Sequence, residues 1–439
     1  MNTLTKQLLS GARTFIVSSS FLISFGHSLL AVAQSSAEPN AITTEFSGHA
    51  KYQFIDSYFP DDSFYRTQTG ASKIDHNLEF RFKLAVYKGP WSIQADYQLI
   101  HQYSRSGLFT QNEDNALSSN HSLNDRERLL DLSDSLSIRD TSTTQHRLDR
   151  LHVSYTGEKT VFRIGRQVLS WGNGMIFNPM DIFNPFDPAS IDTEYKGGDD
   201  MIYGQYLLES GDDIQTVWVF RRDPNTEKPN AEQRSLAVKY HGFAGLLEYD
   251  ILLAEHYDER LWGIGLSQDV GGALWRADAT LTNNKDTGDT TNTFVTNLSY
   301  SWVAWNKNIS AVGEYFYNGF GTSSSPYSLQ GTIDNTSLKK RLDRGELYTL
   351  GRHYLGLSAT MELTPLFWLT GQLQRNLDDR STLLQLITQY DLEQNLQLTS
   401  AVNLPFGHTG SEYGGIDSGI ENLPLSAGPS LFVQLAWYF

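Results

Sequence analysis

From residue 44 to the C-terminus the sequence alternates, residue by residue, between apolar and polar side chains. In residues 78–86, Leu78, Phe80, Phe82, Leu84 and Val86 share one face, against Asn77, Glu79, Arg81 and Lys83 on the other. Successive side chains of a strand point to opposite faces, so this period of 2 specifies strands with one greasy and one polar side. The same pattern recurs in "EFSGHAKYQF" (45–54) and "WSIQADYQL" (91–99). Eighteen such segments are expected, near 44–56, 73–87, 91–101, 147–156, 160–168, 199–208, 213–222, 234–241 and 245–255, then 260–269, 273–282, 292–303, 309–319, 351–361, 366–376, 381–390, 395–404 and 430–439. A range of 16 to 18 is compatible with the pattern, and 102–146 has room for a hairpin or for a short helix around "NDRERLLDLSDSL" capped by Asn124.

The connections alternate in kind. Those after the even-numbered strands are short, as in Lys88-Gly89-Pro90 and Val270 to Gly272, whereas 57–72, 102–146, 320–350 and 405–429 are long and polar. A soluble sandwich has no reason to show this parity; a membrane barrel with short turns on one side and long loops on the other does. A mean hydropathy of −0.38 does not oppose that reading. Only every second residue of a spanning strand has to be apolar, so a barrel shows no run of the length a spanning helix needs.

The last nine residues, "LFVQLAWYF", place Leu431, Val433, Leu435, Trp437 and Phe439 on one face and close on an aromatic ring. This strand resembles the closing strand of Gram-negative outer-membrane β-barrels of the porin-like kind. The resemblance implies an all-β, antiparallel up-and-down transmembrane barrel in the outer membrane. It further implies that Leu431, Val433, Leu435, Trp437 and Phe439 form the tag read by the β-barrel assembly machinery, and that outer-membrane lipid and lipopolysaccharide surround the wall. "GRQ" at 165–167 followed by Trp171-Gly172 is also similar to alginate-export and related porin-like barrels.

The first 33 residues read as an export signal. Lys6 and Arg13 form a basic start, "TFIVSSSFLISF" an apolar core, and Ala31-Val32-Ala33 a cleavage site before Gln34. A short periplasmic segment, 34–43, then leads into a single barrel over 44–439. Loss of Lys6 and Arg13 takes the formal charge from −16 to −18, which disfavours nucleic acid as a partner.

"FNPMDIFNPFDP" (177–188) interrupts the strands with a doubled Phe-Asn-Pro. Proline lacks an N–H and fixes φ, so this stretch is barred from a strand interior, yet its rings need a surface to pack on. On the count above it lies in the third external loop, 169–198. In general porins that loop folds into the barrel and narrows the pore. The expectation is therefore an inward segment anchored by Phe177, Phe183, Phe186, Pro179 and Pro185, the alternative being an outward loop packed on neighbouring loops or on lipopolysaccharide. Asp181, Asp187, Asp192 and Glu194 would line the constriction opposite Arg163 and Arg166. Strict alternation would put Arg166 on the lipid side, so a strand end or a bulge would have to re-aim it.

Inward wall positions carry eight acids and eight bases, and the excess of negative charge lies mainly in loops. A mildly cation-preferring diffusion channel for small hydrophilic solutes follows, since an acidic rim enriches cations over short distances. Apolar, lipid-like or oligosaccharide cargo is the alternative. An enzyme is not expected, because no phospholipase-like His-x-Ser-Asn-Gly stretch occurs, and neither a cofactor nor a metal is called for. A homo-oligomer is compatible with this class.

Overall fold

The computed structural model describes residues 41–105, 125–285, 288–323 and 325–439. The expected signal peptide and most of 34–43 lie outside these residues, as does Asn124. The wall begins with β1 (Ile42–Tyr58), β2 (Ser72–Lys88) and β3 (Trp91–Ser104), then the hairpin β4 (Ser133–Arg139) and β5 (Ser142–Thr156). It continues through β6 (Thr160–Gln167), β7 (Asp199–Leu207), β8 (Asp213–Val219), β9 (Ser235–Ala244), β10 (Leu247–His256), β11 (Glu259–Val270) and β12 (Ala273–Asn284). It ends with β13 (Thr290–Ala304), β14 (Lys307–Asn318), β15 (His353–Thr364), β16 (Phe367–Asn376), β17 (Thr382–Glu393), β18 (Leu396–Phe406) and β19 (Ser430–Tyr438).

Eighteen of these strands make a closed antiparallel wall, in which each pairs with its neighbours in sequence and β1 pairs with both β2 and β19. They are the eighteen segments that the alternation marks. β4 stands apart: it pairs with the upper part of β5, Ser133 with Arg147 down to Arg139 with Ser142, above the point where the short β6 stops. The segment 102–146 thus holds a hairpin, and no helix forms over its described residues 125–146. Among the described residues no helix is long and apolar enough to cross a membrane.

Burial is inverted relative to a soluble protein. Phe82, Leu84, Ile93, Ile251, Trp262 and Leu357 are exposed on the outer face, while His49, Lys51, Arg81, Asp96, Gln98 and Glu314 are buried on the inner one. Apolar side chains outward and polar side chains inward is what lipid outside and polar contacts inside require. The outer face of β19 carries Leu431, Leu435, Trp437 and Phe439, all exposed, with Val433 partly so.

The chain ends meet at one seam. Gly48 N–H donates to the Phe439 carbonyl at 2.9 Å, Phe439 N–H returns the bond at 3.1 Å, and the Phe439 ring lies 5.9 Å from Phe46 and 6.0 Å from Phe82. A Cβ at Gly48 would come within 2.6 Å of that ring and run into the Arg81 carbonyl. Gly48→Val should therefore destabilise closure by about 2 kcal/mol or more, as overpacking against backbone does. The expected result is a lower urea midpoint for the folded band of unheated, refolded protein on a gel; an unchanged midpoint would refute it.

Long connections gather at one end of the barrel and short turns at the other. The 319–352 connection holds two short helices, α1 (Leu329–Asp334) and α2 (Thr336–Asp343), and packs with 407–429 over the long-loop end, where Tyr327, Leu338, Leu350 and Ile416 form an apolar cluster.

Candidate functional site: a belt against the inner wall

The connection from β6 to β7, residues 168–198, forms no strand. It starts in a tight reversal, where Gly172 has φ 91° and a Cβ at Gly174 would press on the backbone of Phe177 and Asn178. Only glycine fits both demands without strain. The turn delivers a row of backbone N–H groups to two wall carboxylates. Asn173 donates to Asp278 through both its backbone N–H (2.6 Å) and its side-chain amide (2.8 Å). Met175, Ile176 and Phe177 all donate their backbone N–H to Glu314, at 2.7, 2.9 and 2.6 Å. Asn297 adds a side-chain bond to Glu314 at 3.1 Å and another to the Asn173 carbonyl at 3.0 Å. Three backbone donors and one side-chain amide converge on this single carboxyl, so Glu314 is the main rivet of this stretch.

The two Phe-Asn-Pro turns then face different walls. Phe177 stacks on Phe316 with ring centres 5.0 Å apart and touches Tyr354 at 5.5 Å, over Gly356, where a Cβ would meet Ile176 at 2.6 Å. Phe183 instead packs against Trp171 at 5.6 Å and joins Met180 and Ile182 on an apolar strip formed by Met201, Val217, Val219, Ala237, Leu252 and Leu261. Each asparagine ties its turn to another part of the segment, Asn178 to the Trp171 carbonyl at 3.0 Å and Asn184 (φ 62°) to the Gly197 carbonyl at 3.3 Å.

Beyond the second turn the segment runs on around the wall. The Pro188 carbonyl accepts from Gln372 (2.9 Å) and Gln374 (2.6 Å) on β16, and the Ala189 carbonyl from Gln385 (2.8 Å) on β17. Asp192 and Glu194 both pair with Lys51 on β1 at 2.7 Å, and Glu194 accepts from Tyr438 on β19 at 2.9 Å. Burial works against ionisation of Glu194, but Lys51 beside it holds its carboxyl below the usual range. Tyr195 sits under the cations of Arg81 and Lys83, each 4.3 Å from its ring centre. The Lys196 carbonyl accepts from Arg150 on β5 at 2.6 Å, which closes the circuit. The segment is a belt with attachments from β8, where Gln215 holds Trp171 at 2.8 Å, through β12, β14, β16, β17, β19, β1 and β2 to β5.

Several residues expected at a pore sit elsewhere. Asp181 is 4 % exposed and paired with Lys196, which also donates to Ser170 at 2.6 Å; burial pushes the Asp181 carboxyl up to about 6 against the pull of that lysine. Asp187 accepts the Ala189 N–H at 2.8 Å and thereby shapes its own turn. Arg163 lies over the Tyr203 ring at 4.4 Å. Arg166 needs no bulge, since the ladder runs unbroken to Arg166 opposite Leu151 and Asp200. Its guanidinium is 1 % exposed, bound by Asp125 (2.5 Å), Asp200 (3.0 Å) and the Leu130 carbonyl (2.6 Å), and it rivets the β4 insertion to the tops of β6 and β7. No Arg163–Arg166 pair faces Asp181 and Asp187 among these contacts. Phe186 is half-buried under the Lys196 ammonium (4.9 Å), the Pro185 carbonyl accepts from Tyr348 at 3.3 Å, and Pro179 lines a cleft with them.

Asp278, Glu314, Gln372, Gln374 and Gln385 have inward phase by alternation alone, but a one-dimensional pattern cannot say that a distant loop takes up their hydrogen bonds. The apolar strip carried a readable signal: "TVWVF" (216–220) and "ILLAEH" (251–256) are apolar on both faces, unlike the strands around them.

Inward positions change from wet to dry along the wall. Glu248, Ser301, Ser310 and Gln389 near the short turns are exposed, whereas Asp250, Asn297, Glu314 and Gln385, farther up the same strands, are buried at the belt. The inner face is therefore exposed toward the short turns and covered at the level of the belt. Among the described residues no group of His, Asp and Glu is placed to hold a metal ion.

No family model and no curated protein sequence matches the chain. Solved structures do. OccK9 (OpdG) of Pseudomonas aeruginosa superposes with a TM-score of 0.53 at 9 % identity, over 90 % of this chain and 98 % of that one. A BenF-like porin from Pseudomonas fluorescens Pf-5 gives 0.52 at 8 % identity, with the same coverage of 90 % and 98 %. OccAB2 of Acinetobacter baumannii gives 0.51 at 9 % identity, again over 90 % and 98 %. At such identities the likeness is one of fold.

Proposed function

We propose that this barrel, which has the fold of Gram-negative outer-membrane porins, resides in the outer membrane as a channel for passive diffusion of small hydrophilic solutes. The observation that carries the reading is the belt: one segment, 169–198, runs around the inner face of the closed wall, and the reading takes it as the element that narrows the pore. A mild cation preference goes with it. The exposed inward acids near the short turns, Glu45, Glu248 and Asp269, raise the local cation concentration, though salt screens them within about 10 Å. The exposed outer face of β19 suits recognition by the barrel assembly machinery, with lipid and lipopolysaccharide as the surroundings of the finished wall.

The test is single-channel recording of the refolded mature chain in a planar bilayer under a salt gradient. Steady open steps and a reversal potential modestly toward the cation side are expected. A folded barrel that passes no current would overturn the proposal. A route for apolar cargo is the second reading, and it draws on the apolar strip inside β7 to β11. Met180, Ile182 and Phe183 of the belt cover that strip, so apolar transport would require the belt to leave it.

A further inference from the structure

On the long-loop side of the belt lies a cleft of about 80 Å³ that neither the wall nor the belt fills. Its floor is the belt, its back the wall at Leu261 and Phe316, and its roof the 319–352 connection through Phe320 and Leu347. The rings and aliphatic groups leave little for a strongly hydrated solute to bind. The charges at its rim are already matched: Glu259 holds Arg341 at 2.5 Å, Glu346 holds His256 at 3.0 Å, and Asp181 holds Lys196. An incoming ion would have to shed water with no counter-charge free to receive it, which costs several kcal/mol. Two polar atoms of the lining are left over, Asn178 Oδ1 and Asp181 Oδ1. Asp181 lines the cleft, and its Oδ1 makes no hydrogen bond among the described residues, although the side chain is buried. A buried acceptor without a donor is costly, and a ligand hydroxyl can satisfy it.

We infer that this cleft is a binding site for a neutral, ring-sized solute bearing a hydroxyl, its ring among the belt and roof side chains and its O–H donated to Asp181. Ligand sites commonly combine apolar surface with a few orienting polar groups, and here the rings and aliphatic groups share the lining with Asn178, Asp181, Thr280, Thr282, Thr293 and Thr349. A dry apolar cavity of roughly 150 Å³ accepts a whole benzene ring. The smaller volume here means that the solute is held by its hydroxyl end and one ring edge, with the remainder toward the long-loop end. The site rests on the channel reading for its use, as a station that solutes reach before the belt, but it exists or fails independently of conduction.

The experiment is fluorine NMR of a fluorophenol titrated into the refolded mature chain, with fluorobenzoate and fluorobenzylamine as charged counterparts. Saturable broadening by the fluorophenol is expected, with binding at least about tenfold weaker for both charged rings. Leu347→Trp, which fills the cleft from the roof, should weaken fluorophenol binding by a similar factor. Leu347 belongs to a loop rather than to the wall, so a gel-mobility check separates loss of the site from loss of the fold. Equal or tighter binding of either charged ring would overturn the inference, as would absence of saturable fluorophenol binding to folded protein. Bilayer recording of the same preparation keeps the two proposals apart: current without fluorophenol binding sinks the site alone, and binding without current sinks the channel alone.

Discussion

Replacement of Glu314 by alanine raises the single-channel conductance severalfold and makes the current noisier. The reason is the arithmetic of three N–H groups. Met175, Ile176 and Phe177 each donate to this one carboxylate, and Glu314 itself is 1 % exposed. Stripping a buried donor of its partner costs about 1–3 kcal/mol, so three together cost more than the roughly 2–3 kcal/mol with which the Phe177 ring stays buried on Phe316. The first turn of the belt then does better in water than on the wall, and it lifts from β14. Its second half remains tied to β1, β16 and β17, so the barrel stays folded while its narrowest section widens. Gln389→Ala, at an exposed inward position beyond the belt, serves as the control with unchanged current. Wild-type conductance in folded Glu314→Ala would show that the belt does not set the pore width.

A second large effect is expected from pH at the long-loop end. Glu412, in the 407–429 connection, accepts from Leu350 N–H (2.9 Å), Tyr354 O–H (2.5 Å) and the Asn376 amide (2.7 Å), and so ties this loop to the 319–352 loop and to the tops of β15 and β16. Burial drives its carboxyl up to about 7, Asp379 pushes the same way, and the three donors only partly offset them. The other titratable groups facing the cluster are Tyr327, Tyr354, Tyr413 and Asp378, none of them a cation. A carboxyl raised in the seated state above its ordinary 4.5 favours seating fully below about pH 4.5. That contribution falls away as pH rises through about 7, and a shift of this size is worth roughly 3 kcal/mol. Limited proteolysis of the folded barrel should thus cut within 407–429 much faster at pH 8 than at pH 5. Glu412→Gln keeps the group neutral at every pH and should flatten the profile. Equal cutting at both pH values in the wild type would rule the linkage out.

The wall was legible in the sequence because its rule is local. Each strand needs only its own alternation, and Leu78 to Val86 announces both faces without reference to any other part of the chain. The sequence of 102–146 suits a hairpin or a short helix, and what separates the two is pairing with β5, a partner that propensity does not see. The belt was harder. Its rings and prolines marked 177–188 as a segment that must be buried, but the identity of its partners depends on strands more than a hundred residues away. Arg166 shows the limit most clearly. Alternation placed it on the outer face, chemistry argued for the pore, and the structure buries it against Asp125, from an inserted segment whose position no periodicity encodes. The sequence points Asp181 at the pore because Lys196, fifteen residues on, returns to it only after the belt has gone round the wall.

The far end of the belt also carries information about time. Glu194 is held from one side by Lys51 on β1 and from the other by Tyr438 on β19, the two strands that meet at the seam. These partners are neighbours only when the first and last strands of the chain have zipped together, 244 residues separating Glu194 from Tyr438. Contacts over such spans form after the local ones, since loop-closure entropy is lost before they can repay it. The last turn of the belt therefore cannot seat in an open sheet. Its docking is the step that distinguishes a finished cylinder from a nascent one, and a chain halted before closure keeps Asp192, Glu194 and Lys51 apart and hydrated.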